Sequence, residues 1–528
     1  MNKKVFVYAS VVPAVVFLFF LPALFNGFTN WDVPSVLLDN PLIKDFSWHG
    51  IQTILVTMWT GQFERFIPFS MIFYTAEYHF FGTNPLGYHG VSVLLHCLDV
   101  GAVFILIYLL TERAGAALMA ALLFGLHPLH VEPVALATAQ TYLIGTFFFL
   151  SAVILYVWSS RVPVQKFRFE ILVVISFSLA LLFYSGLTMS LPFVLLAVDY
   201  YLQGRIDRDQ VLRKIPFFLM SFYFGWLTFK AAHHVTADFV PTFLTQHFSL
   251  FHRINLSCEA LWIYAQKFFI PHPLSCLYPT TYYTQQAFLL FTVMGGAVFL
   301  FFTAFRQKPG GRICFLGLWW FLLTILPFLH IHGVSESIIY DRYLYLPSVG
   351  FLLILVGMWE SFPLKKWVGS LGLFWFIFII FLSSQQIGVW RDSGTLWTNF
   401  ISQYPGFADG YLNRSDYYLT IHQPRLALKD IDVLLKIDPQ NAGAYQNKGH
   451  AFFQLRQWHL EVEALTQVIE LKPDFVHIYV DRGVAFYMLG EDKRALEDFN
   501  RALQKDPNEV KALIDRQIVL QELRTQRF

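Results

Sequence analysis

The sequence predicts an all-α protein in which a polytopic bundle of transmembrane helices is followed by a domain of helical repeats. Apolar residues make up 56% of the 528 residues and charged residues only 14%, whereas soluble domains contain roughly 45–50% and 25%. About half of all Asp, Glu, Lys and Arg residues lie after residue 390, and prolines recur there every 34 residues. The net charge of +2 argues against nucleic acid as a partner.

Eleven apolar stretches in residues 1–390, the predicted transmembrane domain, are long enough to cross about 30 Å of hydrocarbon. They lie near 5–25, 88–110, 115–133, 137–158, 170–186, 188–204, 214–233, 286–305, 313–330, 343–361 and 367–386. The first stretch follows two lysines and reads as a signal anchor. The stretch 255–270 is also apolar, but it contains Glu259 and Lys267. We therefore expect it to be re-entrant or interfacial.

Basic residues in alternate short connections orient the bundle. They are Lys3, Lys4, Arg113, Arg161, Lys166, Arg168, Arg205, Arg208, Arg213, Lys214, Arg306, Lys308, Arg312, Lys365 and Lys366. The positive-inside rule places all of them in the cytoplasm, provided that 255–270 does not cross. The N-terminus is then predicted to be cytoplasmic and, because the number of crossings is odd, the C-terminal domain to be periplasmic or luminal.

Ionisable residues converge on the predicted outer face, where such residues are costly and commonly functional. Three outer segments carry them, and the first, at 26–87, is much longer than a linker. The residues are Asp32, Asp39, Glu64 and Arg65 in the first segment, His127, His130 and Glu132 in the second, and Asp341 and Arg342 in the third. We expect these segments to meet in one site at the outer membrane surface.

The acids of the first segment have two interpretations each. Asp32 is a candidate catalytic residue, but it also fits the cap of a short interfacial helix. Asp39 precedes Asn-Pro, which favours a turn residue.

The histidines and the arginine also admit alternatives. His127 and His130 have a spacing found in metal sites, but no third ligand follows at helical spacing. We therefore predict no metal, and a role in ordering the loop or contacting a phosphate. The guanidinium of Arg342 suits a phosphate, or it forms an ion pair with the neighbouring Asp341.

The C-terminal repeats have the period of the tetratricopeptide repeat (TPR). Positions that recur every 34 residues include Pro405, Pro439, Pro473 and Pro507, Tyr411, Tyr445 and Tyr479, Gly449 and Gly483, Tyr418, Phe452 and Phe486, and Ala427 and Ala495. Small residues let two helices approach, aromatic residues fill the wedge between repeats, and proline ends the second helix. We predict a connecting segment at 391–407 and a domain at 408–528, with repeats at 408–441, 442–475 and 476–509 and a capping helix. Such superhelices present a groove that binds proteins or peptides.

Five motifs, in the order in which they occur, resemble the transmembrane-and-TPR-containing protein O-mannosyltransferases. They are NWDVPSVLLDNP (30–41), FGTNPLGYH (81–89), HPLHVEPVA (127–135), TMSLPFVLLAVDYYL (188–202) and YDRYLYLPSVG (340–350). The resemblance covers essentially the whole chain, and YDRYLYLPSVG and HPLHVEP are its most specific parts. It implies a bundle of the GT-C superfamily of lipid-dependent glycosyltransferases.

The resemblance also implies a reaction. The enzyme would transfer a sugar, often mannose, from a polyprenyl-phosphate donor to a protein hydroxyl, without a cofactor. An acidic residue of the first outer loop would act as general base, which assigns that role to Asp32. Arg342, His127, His130 and Arg65 are then the candidates for the donor phosphate. Asp39, Glu64, Glu132 and Asp341 are candidate supporting residues.

The chain departs from the family pattern at several charged positions. Relatives usually carry an acidic pair where this chain has Asp32 followed by Val33 and Pro34. The basic residue expected before Pro68 is replaced by Ile67, and Arg65 stands two places earlier.

Two further departures remove charges from the bundle. A basic-acidic segment is replaced by ATAQTYL (137–143), and a Ser-Lys pair by Ser185-Gly186. Either the donor is held differently, for example by Arg65, His130 and Arg342, or catalysis has been lost. The alternative to an enzyme is therefore an inactive membrane scaffold whose TPRs assemble an envelope complex. A transporter is less favoured, because the sequence shows no paired broken helices with repeat symmetry.

Overall fold

The computed structural model describes residues 3–63, 65–162, 166–239, 249–282, 295–296, 298–300, 303, 308, 310–330, 336–361 and 366–525. Within these ranges the elements are helices, apart from one isolated β-bridge between Pro279 and Ser337. The chain divides into two compact units, Met1–Asp392 and Ser393–Phe528. The predicted all-α class is confirmed.

The first unit is a bundle of apolar helices. Its α-helices are Lys3–Phe20, Trp48–Thr60, Pro68–Phe81, Pro85–Thr111, Ala114–Gly125, Val131–Ala135, Gln140–Arg161, Lys166–Thr188, Leu191–Gln203, Arg208–Phe239, Leu250–Phe269, Gly311–Ile325, Ser348–Ser361 and Lys366–Val389. Of the part of the chain that the structure describes, six segments are long and apolar enough to span a membrane: Lys4–Phe25, Pro85–Thr111, Ala137–Arg161, Phe167–Thr188, Gly311–Phe328 and Gly369–Val389.

All but one of the predicted spans that are absent from this set lie in helices that the structure describes. The pair Ala114–Gly125 and Pro128–Ala135 is bent by 55°, and it makes a seventh span if counted as one. Leu191–Gln203 and Ser348–Ser361 are shorter apolar helices, and 214–233 lies within the long helix Arg208–Phe239. The predicted span 286–305 lies almost entirely outside the described residues. The segment 255–270 lies in the amphipathic helix Leu250–Phe269, which is not among the candidate spans.

The long first outer segment is folded rather than extended. Trp48–Thr60 begins after Ser47, whose hydroxyl accepts a hydrogen bond from Gly50 N at 3.2 Å, and it ends at Gly61, which has a positive φ of 80°. Pro68 starts the next helix, as proline does at first helical positions, where no amide hydrogen is needed. Ser70 and Tyr74 of this helix donate hydrogen bonds to Phe183 O at 2.8 Å and to Thr138 O at 2.6 Å. The segment is thereby held against the bundle and forms one wall of the candidate site.

Two glycines let neighbouring helices of the bundle approach closely. Gly317 and Gly350 face each other, and a Cβ atom on either glycine would lie 2.4 Å from the carbonyl oxygen of the other. No side chain fits this gap, so the contact between Gly311–Ile325 and Ser348–Ser361 depends on both residues. The second of these helices directly follows the turn that carries Arg342.

The second unit is a helical solenoid. Its helices are Ser393–Gln403, Ala408–Thr420, Pro424–Ile437, Ala442–Gln454, Trp458–Leu471, Val476–Met488, Asp492–Lys505 and Val510–Thr525. The three helix pairs have the predicted repeat bounds, and Gly449 and Gly483 abut Leu465 and Phe499 of their second helices. The predicted connecting segment needs correction, because 393–403 is a helix of this unit.

The helix Ser393–Gln403 takes the place of a second helix from a preceding repeat. Arg414 donates two hydrogen bonds to Asp430, at 2.8 and 2.7 Å, and a third to Thr398 Oγ1 at 3.0 Å. Two repeats later, Arg482 makes the same three contacts with Asp498 and Thr466. Thr398 and Thr466 are therefore equivalent, and the solenoid begins with half a repeat.

Candidate functional site

The first outer segment and three helices of the bundle enclose a cleft that contains Asp32. Its lining is rich in hydroxyl groups and consists of Asp32, Ser35, Val36, Phe63, Arg65, Ile67, Tyr74, Thr138, Thr141 and Tyr184. We call it the Asp32 cleft. Of the predicted site residues that the structure describes, Asp32 and Arg65 line it directly.

Asp32 is anchored by its backbone at the start of a helical turn. Its carbonyl oxygen accepts hydrogen bonds from Val36 N and Ser35 Oγ, both at 3.2 Å. The capping position of this turn is Val33, and no side chain caps it. The structure therefore does not support the alternative that Asp32 caps a helix. Its side chain remains 26% exposed in the cleft.

Arg65 forms an ion pair with Asp32. Its Nη2 atom lies 4.0 Å from Asp32 Oδ2, and 46% of its side chain is exposed. At this distance the two charges attract each other without a tight hydrogen bond. Both groups thus retain capacity for a ligand that brings a hydroxyl to the carboxylate and an anion to the guanidinium.

Tyrosines form a wall beside this pair. The hydroxyls of Tyr142 and Tyr184 are 3.0 Å apart, and Tyr142 stacks on Tyr343 with ring centroids 6.0 Å apart. Tyr184 interrupts its helix with an extended conformation of φ −157° and ψ 83°, which turns the chain at this point. Neither tyrosine is among the predicted site residues, although Tyr142 lies in ATAQTYL and Tyr184 directly precedes Ser185-Gly186.

Arg342 lies behind the tyrosine wall. Its guanidinium is 4.2 Å from the ring centroid of Tyr340 and 5.5 Å from that of Tyr343. Burial lowers the pKa of Arg342, but Glu132, the neighbouring tyrosines and Asp32 outweigh burial and raise it above its ordinary value. The positive charge of Arg342 is therefore permanent, and it interacts electrostatically with Asp32.

The partner of Arg342 is Glu132 and not the predicted Asp341. Arg342 Nη1 donates to Glu132 Oε1, and the Arg342 backbone N donates to Oε2 at 3.1 Å. Both side chains are almost fully buried. An ion pair is tolerated in such an environment because its hydrogen bonds are satisfied. Asp341 instead accepts a hydrogen bond from the Tyr278 hydroxyl at 2.9 Å. Arg342 does not line the Asp32 cleft, so its direct contact with a phosphate is not supported.

His127 and His130 are buried in the bend between Ala114–Gly125 and Pro128–Ala135. His127 bonds to Phe268 O at 2.9 Å and to Leu129 N at 3.3 Å. His130 bonds to Phe124 O at 2.6 Å and to Ser348 Oγ at 3.1 Å. All four ring nitrogens thus have protein partners, and both side chains are fully buried. The phosphate role does not fit this placement, whereas the alternative that they order the loop does.

Of the remaining predicted residues, Asp39 does not line the cleft. Asp39 is exposed and ends the helical turn, where its backbone N donates to Pro34 O at 2.8 Å. This is the turn position that its Asn-Pro neighbours predicted. Glu64 lies outside the described residues.

Comparison with known proteins confirms the resemblance noted in the sequence. A protein O-mannosyl-transferase of Caenorhabditis elegans is 24% identical over 444 residues, which cover 78% of this chain and 59% of that protein. Protein O-mannosyl-transferase Tmtc1 of Drosophila melanogaster is 33% identical over 23% of this chain and 15% of its own length. Protein O-mannosyl-transferase TMTC3 of Mus musculus is 29% identical over 29% of this chain and 17% of its own length. This chain thus spans about three fifths or less of these relatives.

The repeats are matched separately. The tetratricopeptide repeat family model matches residues 476–509, which are the bounds of the third predicted repeat. Among solved structures, the first TPR of Spaghetti (RPAP3) is 22% identical and covers 22% of this chain and 92% of that chain, with a TM-score of 0.22. A TPR protein of Thermus thermophilus is 15% identical and covers 33% of this chain and 90% of its own chain, with a TM-score of 0.23.

Proposed function

We propose that this chain is a membrane glycosyltransferase that moves a sugar from a polyprenyl-phosphate donor to a hydroxyl group of a protein. The observation that carries the proposal is the pair formed by the exposed carboxylate of Asp32 and the guanidinium of Arg65, 4.0 Å apart in a hydroxyl-lined cleft. The names of its relatives favour mannose as the sugar. No cofactor is needed, because the donor is already activated by its phosphate.

The chemistry is a direct displacement at the anomeric carbon. Asp32 takes the proton of the acceptor hydroxyl while its oxygen attacks the anomeric carbon. The bond from that carbon to the phosphate oxygen breaks, and its electron pair remains on the phosphate. Arg65 stabilises the negative charge that develops on the departing phosphate. One carboxylate and one cation suffice for this step, and the cleft provides both.

The phosphate site proposed here differs from the one expected from the sequence. Arg65 and the hydroxyl of Tyr184, both of which line the cleft, replace the two histidines and Arg342 as the groups that contact the phosphate. The hydroxyl of Tyr142 lies 3.0 Å from that of Tyr184 and positions it. Arg342, paired with Glu132, positions the wall by stacking beside Tyr340 and Tyr343. An uncharged hydroxyl group thus contacts the phosphate in place of the charged residues that the relatives use.

The membrane orientation is part of the proposal. The N-terminus is cytoplasmic, the Asp32 cleft faces the outer leaflet, and the TPR unit lies in the periplasm or a lumen. The apolar helices around the cleft give the prenyl chain a lipid-facing path. The solenoid binds the acceptor protein or another protein partner.

A transfer assay with purified protein in lipid vesicles tests the proposal. Tritiated mannose is offered either as polyprenyl-phosphate mannose or as a nucleotide sugar, together with acceptor proteins from the same membrane fraction. We expect labelled protein from the lipid-linked donor only. Transfer from the nucleotide sugar would contradict the proposed donor.

The alternative is an inactive scaffold, and one observation favours it. Arg342 is already neutralised by Glu132, so the cleft has fewer free charges than the family pattern implies. The same assay discriminates the two functions. No transfer from any polyprenyl-phosphate sugar, by protein whose fold is verified by its unfolding transition, would favour the scaffold.

A further inference from the structure

The second repeat has an acid where the other two repeats have alanine. Ala427, Glu461 and Ala495 are separated by 34 residues each and occupy the same position in the second helix of their repeats. Both alanines are fully buried, and Glu461 is only 2% exposed. A position that needs only a methyl group elsewhere in the solenoid therefore holds a buried carboxyl group here.

The carboxyl group of Glu461 is not satisfied by the protein. Its Oε2 atom is buried and has no hydrogen-bond partner. Leaving such an atom unpaired costs about 1–3 kcal/mol, and alanine at the same position avoids that cost in the other repeats. Because this burial is unfavourable and alanine would avoid it, the buried carboxyl group indicates a ligand that completes the site.

Charged groups from the next two first helices surround Glu461. Asp481 and Lys511 are the charges that act on its carboxyl group. Lys511 Nζ lies 2.8 Å from Asp481 Oδ1, and His450 Nε2 lies 3.9 Å from Asp481 Oδ2. Lys511 is thus engaged by Asp481 on its exposed side and does not bond to Glu461.

A third carboxylate completes the cluster. Asp515 stands 34 residues after Asp481, at the same position of the capping helix. Its Oδ2 atom is also buried without a hydrogen-bond partner, and its charge interacts with those of Asp481 and Lys511. Three carboxyl groups, two of them with an unpaired buried oxygen, therefore share one lysine and one histidine.

We infer that Glu461, Asp481 and Asp515 form a pocket for a basic side chain, lysine or arginine, of a protein that docks on the solenoid. A cation at this place would supply the hydrogen bonds that Glu461 and Asp515 lack and would balance the excess of carboxylates. The three acids lie on three different helices of the solenoid, Trp458–Leu471, Val476–Met488 and Val510–Thr525. Repeat domains bind peptides with side chains from several helices in this way. The inference does not depend on sugar transfer by the first unit.

Fluorescent peptides test this pocket on the full-length protein in nanodiscs. Four sets of nine-residue peptides carry Lys, Arg, Gln or Glu at the centre, with the same mixture of Ala, Ser, Leu and Gly elsewhere. Anisotropy titrations at pH 8 give a dissociation constant for each set. We expect the Lys and Arg sets to bind at least about tenfold more tightly than the Gln set. Equal binding of the Lys, Arg and Gln sets would overturn the inference.

Matched variants locate the preference. Glu461→Ala restores the residue of the other two repeats, so its fold is expected to be retained, and it should reduce the preference for Lys and Arg to below about threefold. Glu463→Ala removes an exposed acid from the same helix and should leave the preference unchanged. A basic preference that survives in Glu461→Ala, or that is lost equally in Glu463→Ala, would contradict the proposed pocket.

The conservative variant separates a binding role from a structural one. Glu461→Gln keeps the shape of the side chain but removes its charge, and it should lose the basic preference as Glu461→Ala does. Burial raises the pKa of Glu461 to about 8, so in the wild type the preference should strengthen from pH 6.5 to pH 8.5. His450, Asp481, Lys511 and Asp515 are unchanged in the variant, so a dependence on pH that is equal in both proteins would exclude Glu461 as its source.

Discussion

At the scale of single residues, the structure separates the predicted site residues into two groups. Asp32 and Arg65 face a cleft, whereas His127, His130 and the Arg342–Glu132 pair are buried behind it. The sequence located the segments that meet, because charge is rare in an apolar chain. It did not reveal which side chains face the cleft, since this depends on a bend and on contacts between distant helices.

The phosphate site predicts different effects for its two donors, Arg65 and Tyr184. Arg65→Met should raise the KM for the lipid-linked donor about tenfold or more, since a charged hydrogen bond to phosphate is lost. Tyr184→Phe should give a smaller rise, because it removes an uncharged donor. Initial rates at several donor concentrations measure these effects, and an unchanged KM in Arg65→Met would contradict this assignment.

The buried Arg342–Glu132 pair predicts a loss of stability. Glu132→Gln leaves the guanidinium of Arg342 with a weaker partner in a buried environment, and removing one member of such a pair costs about 3–5 kcal/mol. We therefore expect a lower midpoint of thermal unfolding in detergent, together with lower activity. A variant with wild-type unfolding but no transfer would instead make Glu132 part of the reaction itself.

At the scale of elements, the solenoid was the part that the sequence predicted best. A fixed period of 34 residues repeats one local geometry, so each position inherits its environment from its equivalents. The helix Ser393–Gln403 was missed because it lacks the first helix of its pair. Only the three-dimensional structure reveals this helix as part of the solenoid. In it Thr398 and Thr466 accept equivalent hydrogen bonds from Arg414 and Arg482.

The arginine clamps of the solenoid predict unequal repeats. Arg482 donates two hydrogen bonds to the buried Asp498, so Arg482→Met should lower the free energy of unfolding of this unit by about 3 kcal/mol. The middle repeat has Lys448 and Ala464 at these positions. Lys448→Met should therefore change stability by less than about 0.5 kcal/mol. Urea midpoints from pulse proteolysis, with cleavage mapped to 393–528, measure both, and equal losses would refute the clamp.

Glu461 makes the stability of the same unit depend on pH. Its folded pKa of about 8 lies above the value of about 4.3 in an unfolded chain. Between these values the folded state binds a proton that the unfolded state has lost, so stability falls as pH rises from about 5 to 8. Glu461→Gln should remove this decrease and be more stable than the wild type at pH 8. A urea midpoint in the variant that falls as steeply as in the wild type would contradict this origin.

At the scale of the whole molecule, the sequence predicted a membrane bundle with a TPR unit, and both are confirmed. The number of spans was harder to predict than their presence. The bent pair Ala114–Gly125 and Pro128–Ala135 reads in sequence as one continuous apolar run, because hydropathy does not register a change of direction. Short helices such as Ser348–Ser361 likewise merge with apolar residues of the adjoining turns.

The proposed orientation predicts which residues are accessible from each side. The four native cysteines are buried, so they should react little with a maleimide that does not cross membranes. A cysteine introduced at the exposed Asn508 should be labelled in intact cells or right-side-out vesicles, and one at the exposed Asp207 only after permeabilisation. Labelling of Asp207→Cys without permeabilisation would reverse the orientation.

The central claim is that Asp32 is the base of a lipid-dependent sugar transfer, and one comparison tests it most directly. Asp32→Asn keeps the size of the side chain but cannot take the acceptor proton, whereas Asp39→Asn makes the same change outside the cleft. With polyprenyl-phosphate mannose as donor, Asp32→Asn should lower the rate at least about 100-fold, and Asp39→Asn should transfer at the wild-type rate. Wild-type transfer by Asp32→Asn would contradict the account.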